Sequence, residues 1–277
     1  MPTAAPWPQQ RVGRPPMLDA ATLDEMADIV ARAQAAPHTM PKLTDKHPGM
    51  TIEDGYAVQD RLLAKWEAEG RSLIGLKAGL TSKAKMEQMG VSEPSFGILM
   101  RDTLDPEGSV IPTDRLIHPR VEAEIAFVMK DELSGENVTI DEILDATDYI
   151  QPAIEILDSR FEKFKFDLES VIADNGSSAR FVMGGRARRP RDVDLRTIGM
   201  VMEIDGEIVA CASSGAVLGH PARSIQMLVA WLHGRGRTLP AGSIVLTGGA
   251  TEAIAIKPGN AVFARFQDMG EISVRIG

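Results

Sequence analysis

Residues 118–130, HPRVEAEIAFVMK, alternate between two kinds of side chain. Val121, Ala123, Ile125 and Phe127 are apolar, while Glu122 and Glu124 fall between them. On an extended strand, residues two apart share a face. The run therefore predicts a strand with an apolar face turned to a core and two carboxylates side by side on the other. Neighbouring carboxylates repel, and each one taken out of water is costly. The pair is compatible with a solvent-facing strand edge or with a cation held between the two acids.

A third acid bears on that choice. Glu155 sits in Gln151-Pro152-Ala153-Ile154-Glu155-Ile156-Leu157, a strand candidate otherwise free of charge. Such a glutamate needs a partner, which is either a metal ion or a basic side chain such as Arg160 or Lys77. Glu122, Glu124 and Glu155 together, with no nearby His or Cys ligand, describe an all-oxygen site suited to Mg²⁺ or Mn²⁺. Three protein oxygens leave positions on an octahedral ion, and a 2-oxo acid fills two of them through its keto and carboxylate oxygens. Lys77 is the one charge in Gly75-Leu76-Lys77-Ala78-Gly79-Leu80-Thr81. It reads either as a lysine snorkelling from a strand end or as a buried cation that stabilises an enolate or moves a proton. The glycines beside it permit close backbone approach and leave N–H groups for an anion, which makes Gly79, Leu80 and Thr81 candidate substrate contacts. Asp174 and Asn175 lie in a polar turn, ADNGSSAR, that is either a plain Asx turn or part of the pocket wall. Thr247, in Thr247-Gly248-Gly249 after the strand SIVL, offers the same two readings.

Around these residues the chain divides near residue 70. Residues 18–37 have Leu23, Met26, Ile29 and Val30 at helical spacing, with Thr22 and Asp24 near the start. Residues 41–50 read as a loop. A second helix over 51–70 opens with Thr51 and Asp54 at capping-box spacing and stops at Gly70. Beyond it strands dominate. Asp205-Gly206 marks a hairpin, and the C-terminus is a series of short strands with Pro-Gly punctuation. Helices are expected only at 140–147 and at 221–234, the latter between Pro221 and Gly234 with Met227, Leu228 and Trp231 on its buried side. Helices first and strands later predict an α+β fold. The expected division is a flexible arm over 1–17, a helical cap over 18–70 and a β-rich catalytic domain over 71–277.

Composition narrows the function. A net charge of −9 argues against nucleic acid, which requires clustered Lys and Arg. It also means that an acidic substrate needs local positive charge or a metal. The single cysteine, Cys211, excludes an intrachain disulfide and a cysteine metal cage. No apolar run is long enough to span a bilayer, and the proline-bearing N-terminus (Pro2, Pro6, Pro8, Pro15, Pro16) lacks a secretory pattern. A cytoplasmic protein with no membrane partner is expected. His118 and His220 both precede proline and have no nucleophile at a recognisable spacing. The chain carries no Gly-x-Ser-x-Gly elbow, phosphate-binding loop or dinucleotide fingerprint.

The segments GLKAGLTSKAKMEQMGVSEPSFGIL, HPRVEAEIAFV, IQPAIEILDSRFEKFKFDLESVIADNGSSARFVMGG, VLGHP and LPAGSIVLTGG resemble the hydratase/decarboxylase branch of the fumarylacetoacetate hydrolase superfamily. The likeness runs from about residue 18 to the C-terminus. It implies a mixed, rolled β-sandwich and a Mg²⁺- or Mn²⁺-dependent enzyme of the meta-cleavage degradation of aromatic compounds. It also implies that Glu122, Glu124 and Glu155 bind the metal, that Lys77 is in the active site, and that Asp174, Asn175 and Glu53 join it. Two activities share this frame, decarboxylation of 2-oxo-3-hexenedioate and hydration of 2-oxopent-4-enoate. DSRFEKFKFDLESVIADN and LTGG point to the first, so a small 2-oxo dicarboxylate is the expected substrate. The branch further implies a homo-oligomer and association with the pathway hydratase. Two rival readings are an acylpyruvate C–C hydrolase with Glu53 as base, and a binding subunit that keeps the site without turnover.

Overall fold

The computed structural model describes residues 18–82, 86, 87, 91 and 93–277. The arm expected over 1–17 lies outside them. Three helices open the described chain: α1 (Ala20–Ala35), α2 (Leu43–Lys46) and α3 (Ile52–Ala68). Asp19 caps α1 by accepting from the Thr22 N–H, so the cap precedes the expected Thr22 and Asp24. The expected capping box is present at α3, with Thr51 and Asp54 each accepting from the other's backbone N–H. The segment read as a loop contains α2, one short turn of helix.

The strands follow: β1 (Leu73–Gly79), β2 (Ser95–Met100), β3 (Leu104–Asp105), β4 (Val110–Ile111), β5 (Arg120–Met129), β6 (Thr147–Leu157), β7 (Ser178–Met183), β8 (Gly199–Ile204), β9 (Glu207–Ser213), β10 (Ile244–Leu246), β11 (Ile254–Ala255), β12 (Ala261–Phe266) and β13 (Gly270–Ile276). Helices α4 (Ile140–Ala146), α5 (Leu168–Ala173) and α6 (Ala222–Gly234) interrupt them. Of these, α5 was not foreseen. The mixed helix-and-strand architecture agrees with the expected α+β class. At the expected hairpin, Asp205 (φ 54°) and Gly206 (φ 85°) take the left-handed conformations a tight two-residue turn demands.

Two sheets form the body. One runs β2-β1-β10-β5-β6-β7-β3 with β11 added beside β5, and the other runs β4-β13-β12-β8-β9. The long strand β5 is central, antiparallel to β6 on one side and to β10 and β11 on the other. Its odd residues Val121, Ala123, Ile125, Phe127 and Met129 enter the main core with Ile154 and Ile156 of β6. Burying each of its larger apolar side chains contributes about 1.5–3 kcal/mol, which pins the register. The even residues face the other way, where Ala126 joins Leu99, Ala153, Phe181 and Leu246 in a small apolar cluster. The helical segment packs on the body through a third cluster that unites α1 and α3 with Ile98 and Met100 of β2 and with Phe161. On α6, Leu228 is buried as expected, while Met227 and Trp231 are partly buried, and Ile225, Val229 and Leu232 complete the inward face.

Candidate functional site

The register of β5 and β6 settles how the three glutamates stand. Glu122 is directly opposite Glu155, and Glu124 is opposite Ala153. Cross-strand partners share a face, as do residues two apart, so all three carboxylates occupy one face. They are 5 %, 0 % and 1 % exposed for Glu122, Glu124 and Glu155, which removes the solvent-facing alternative. The floor beside them is the apolar cluster of Phe181, Leu246, Leu99, Ala126 and Ala153.

Lys77 reaches this group from β1. Its Nζ is 2.6 Å from Oε1 of Glu155 and donates to the Gly176 carbonyl at 3.2 Å. Gly97, paired with Lys77 on β2, gives its stem room, since a Cβ there would stand 3.0 Å from Lys77 Cγ. The Gly176 carbonyl belongs to an unusual turn in which Asn175, Gly176 and Ser177 have φ of 53°, 63° and 57°. Consecutive left-handed residues persist only where their surroundings hold them. Asn175 is held by β2: its Oδ1 accepts from the Ile98 N–H at 2.7 Å and its Nδ2 donates to the Ile98 carbonyl at 2.9 Å.

Glu124 is the most confined acid. Its Oε2 accepts from the Gly248 N–H at 2.8 Å, while Oε1 is buried and meets no donor among the described residues. Burial pushes its carboxyl well above the ordinary range, and the charges of Glu155 and Glu122 add to that, against the opposing pull of Lys77. Burial also raises Glu155, less so because Lys77 is beside it. Gly248 (φ 100°) cannot be replaced without cost, since a Cβ would stand 2.1 Å from Thr81 Oγ1. That contact brings Thr81 to the edge of the group, and its hydroxyl is likewise buried without a partner among the described residues.

Three carboxylates, a carboxylate oxygen with no donor and a nearby unpartnered hydroxyl suit a hard, oxygen-seeking cation. Among the described residues, no group of three such side chains is already disposed as a cage. Lys77 and the Gly248 N–H each hold an oxygen that a cation would share or take over.

The other expected site residues divide. Leu80 (φ 57°) and Thr81 form the turn after β1, tied down where the Leu218 N–H donates to the Thr81 carbonyl at 3.0 Å. Gly79 is paired with Ser95 of β2. Asp174 is not a free pocket acid. Its Oδ1 takes Arg160 Nε at 2.5 Å, its Oδ2 takes the Arg160 N–H at 3.1 Å, and its carbonyl takes Arg160 Nη2 at 2.9 Å. Asn175 spends its amide on β2, as described. Thr247 donates its hydroxyl to the Ile125 carbonyl at 2.9 Å, so it ties β10 to β5. Glu53 pairs with Arg235 at 2.6 Å, and Arg235 lies over the Tyr56 and Trp231 rings. The residues that sequence reasoning missed are Gly248 and Gly97, legible only as glycines in a strand or strand-end turn, and Arg120, two residues before Glu122 on its face of β5. Cavities of about 560 Å³ and 650 Å³ open elsewhere. The first lies by α6 and the start of β1, and the second lies between the helical segment and the body with Arg160 and Asn175 on its wall. Neither is lined by the three glutamates.

Residues 76–277 match the fumarylacetoacetate (FAA) hydrolase C-terminal family. The 4-oxalocrotonate decarboxylase of Pseudomonas sp. strain CF600 is 47% identical over 250 residues, covering 90% of this chain and 95% of that protein. The 2-keto-4-pentenoate hydratase 1 of Dechloromonas aromatica strain RCB is 38% identical over 247 residues, covering 89% and 94%. Among solved structures, the 4-oxalocrotonate decarboxylase of Pseudomonas putida G7 complexed with magnesium and adipate superposes with a TM-score of 0.93 at 42% identity, covering 95% of this chain and all of that one. This chain is a member of the fumarylacetoacetate hydrolase family.

Proposed function

We propose that this protein is a divalent-metal-dependent decarboxylase that converts 2-oxo-3-hexenedioate (4-oxalocrotonate) to 2-hydroxypenta-2,4-dienoate and CO₂ in the meta-cleavage degradation of aromatic compounds. The observation that carries the reading is the convergence of Glu122, Glu124 and Glu155 on one buried face, with Glu124 Oε1 lacking a donor among the described residues and Lys77 alongside. The 47% identity to a 4-oxalocrotonate decarboxylase supplies the substrate.

Glu122, Glu124 and Glu155 would hold Mg²⁺ or Mn²⁺. The bound cation supplies Lewis-acid stabilisation of negative charge on the keto oxygen. In the substrate, the C5–C6 bond breaks and C6 leaves as CO₂. The electron pair becomes the C4=C5 bond, the C3=C4 pair moves to C2=C3, and the keto oxygen takes the charge and then a proton. The chain's own groups prepare that outcome. Lys77 Nζ, buried against Glu155, offsets part of the acidic charge and is the group that donates to a substrate oxygen. Phe181, Leu246 and Leu99 keep water from the face on which the charge moves. The left-handed turn at Asn175–Ser177 and the Gly248 backbone fix Lys77 and Glu124 in place.

The test is an ultraviolet assay on 2-oxo-3-hexenedioate with added Mg²⁺ and CO₂ detection. Release of CO₂ that stops on chelation supports the proposal. Water addition to 2-hydroxypenta-2,4-dienoate without CO₂ release would instead make the protein a hydratase, the activity carried by the relative that is 38% identical. A homo-oligomer that associates with the pathway hydratase belongs to the same reading, and co-purification of the two proteins tests it.

A further inference from the structure

Arg120 takes no part in the decarboxylation, yet it stands on the same strand face as the acids. It lies two residues before Glu122, so both project from one face of β5, about 6.6 Å apart along the strand. Across the ladder it opposes Leu157, two residues beyond Glu155. The loop that follows β10 links both ends of this face. Its Gly248 N–H holds Glu124, and its Ala253 carbonyl accepts from Arg120 Nη1 at 3.1 Å. Arg120 thus shares a strand face and a bracing loop with the carboxylate group.

Its guanidinium is arranged to receive an anion. Its Cζ lies over the Phe164 ring, 4.5 Å from the centroid, and the group has further N–H donors besides the one given to Ala253. Phe164 is itself held in place: Lys163 and Phe164 both have φ of 57°, a left-handed pair that a free loop of non-glycine residues does not adopt. On the edge of the same ring stands His118, with ring centroids 5.4 Å apart. Its Nε2 is buried and has no hydrogen-bond partner among the described residues. A guanidinium over the ring face and an imidazole nitrogen that has no partner among the described residues, both against one ring, offer donors suited to a carboxylate.

We infer that Arg120, with His118 beside it, binds the distal carboxylate of a 2-oxo dicarboxylate whose 2-oxo acid end lies at the three glutamates. The inference rests on the proposed function. It adds the element that separates a dicarboxylate from a 2-oxo acid with one carboxylate.

The probes are 2-oxoadipate and 2-oxohexanoate, equal in length and different only in the second carboxylate. Both are saturated, so neither gives the C5–C6 electrons a conjugated path to the keto oxygen, and neither turns over. Binding is measured by calorimetry with Mg²⁺ present. The wild type is expected to bind 2-oxoadipate at least about tenfold more tightly than 2-oxohexanoate, as a charge-assisted contact requires. Arg120→Gln should erase that preference and leave 2-oxohexanoate within about twofold of wild type. Arg120→Lys, which keeps the charge without the planar fork, should keep part of it. Equal affinity of the wild type for both acids overturns the role of Arg120 and leaves the decarboxylase reading standing. Parallel loss of both acids in Arg120→Gln and Arg120→Lys also overturns it, because a merely structural arginine would act that way. If the wild type binds neither acid with Mg²⁺, the proposed function fails and the inference fails with it.

Discussion

Lys77 Nζ and Glu155 Oε1 stand 2.6 Å apart with both side chains almost wholly buried. The lysine comes from β1 and the glutamate from β6, on opposite sides of β10 and β5 in the sheet order. Their meeting requires the sheet to roll. A buried pair with one partner removed leaves an uncompensated charge, at a cost of about 3–5 kcal/mol. Lys77→Met is therefore expected to lower the melting temperature markedly and to cut turnover by at least ~100-fold, the scale of losing one charge-stabilising donor. Adding Glu155→Gln should restore much of the stability and none of the activity. Thermal unfolding and the CO₂ assay on the single and double variants check this. A double variant no more stable than the single one would show that the ion pair is not the reason Lys77 matters to the fold.

Burial holds Glu124 protonated to a higher pH than an ordinary glutamate, with help from the neighbouring acids. The sign of the consequence is fixed. A carboxyl whose folded-state value lies above its ordinary 4.5 stabilises the fold while protonated, and that contribution is lost as pH rises through the folded-state value. The metal-free protein should thus lose stability on going up in pH above 4.5, through the range in which Glu124 ionises. Divalent cations compete with the same protons. The melting-temperature gain from Mg²⁺ should therefore grow with pH, and binding should release protons. Calorimetry in two buffers of different ionisation enthalpy reads the release directly. A Mg²⁺ affinity that is flat across this range would remove the buried acids as the ligands.

The parts of this site legible in the sequence are those set by local periodicity. Glu122, Glu124 and the apolar residues between them follow a period of two, and the strand adopts it because both of its faces are buried. Thr51 and Asp54 are three residues apart and cap their own helix, so no distant contact can overrule them. What the sequence concealed depends on contacts across the fold. Arg160 claims Asp174 from 14 positions away in the chain, which turns an apparent pocket acid into a brace. Arg235 claims Glu53 across 182 positions. Helix α5 is only six residues long, too short for helical periodicity to declare itself, and its cap, Asp167, is also bound by Lys42 and Thr44 from the helical segment. Gly248 reads as turn punctuation until Thr81 is seen where its Cβ would lie.

The brace between Arg160 and Asp174 leads to a prediction that separates support from catalysis. Burial raises the Asp174 carboxyl even with the guanidinium against it, so the acid is expensive to keep and a positional role is the expectation to test. Asp174→Ala should destabilise the fold by about 3–5 kcal/mol, because it leaves Arg160 buried and alone. Combining it with Arg160→Met should recover most of that loss. Mg²⁺ affinity of the double variant should stay near wild type, since the two groups bond to each other and Glu124 and Glu155 are held by Gly248 and Lys77. A double variant that is stable and binds metal yet makes no CO₂ would place Asp174 or Arg160 in the chemistry after all.

Gly248 offers the sharpest backbone test. Its N–H is the one donor on Glu124 Oε2 among the described residues, and its φ of 100° is open to glycine and strained for any other residue. Gly248→Ala would drive a methyl group into Thr81 Oγ1, 2.1 Å away, so either the Thr81 turn or the Gly248 backbone must move. Movement of the backbone withdraws the N–H from Glu124 and disturbs a metal ligand that the fold otherwise fixes. Outer partners of metal ligands typically influence affinity about 10–100-fold, and the loss here should fall in that range for Mg²⁺. Adding Thr81→Gly relieves the collision and leaves the backbone strain. The pair should therefore recover only part of the metal affinity. Full recovery would mean that the clash alone was responsible, and no change in Mg²⁺ affinity for Gly248→Ala would mean that Glu124 is held without it.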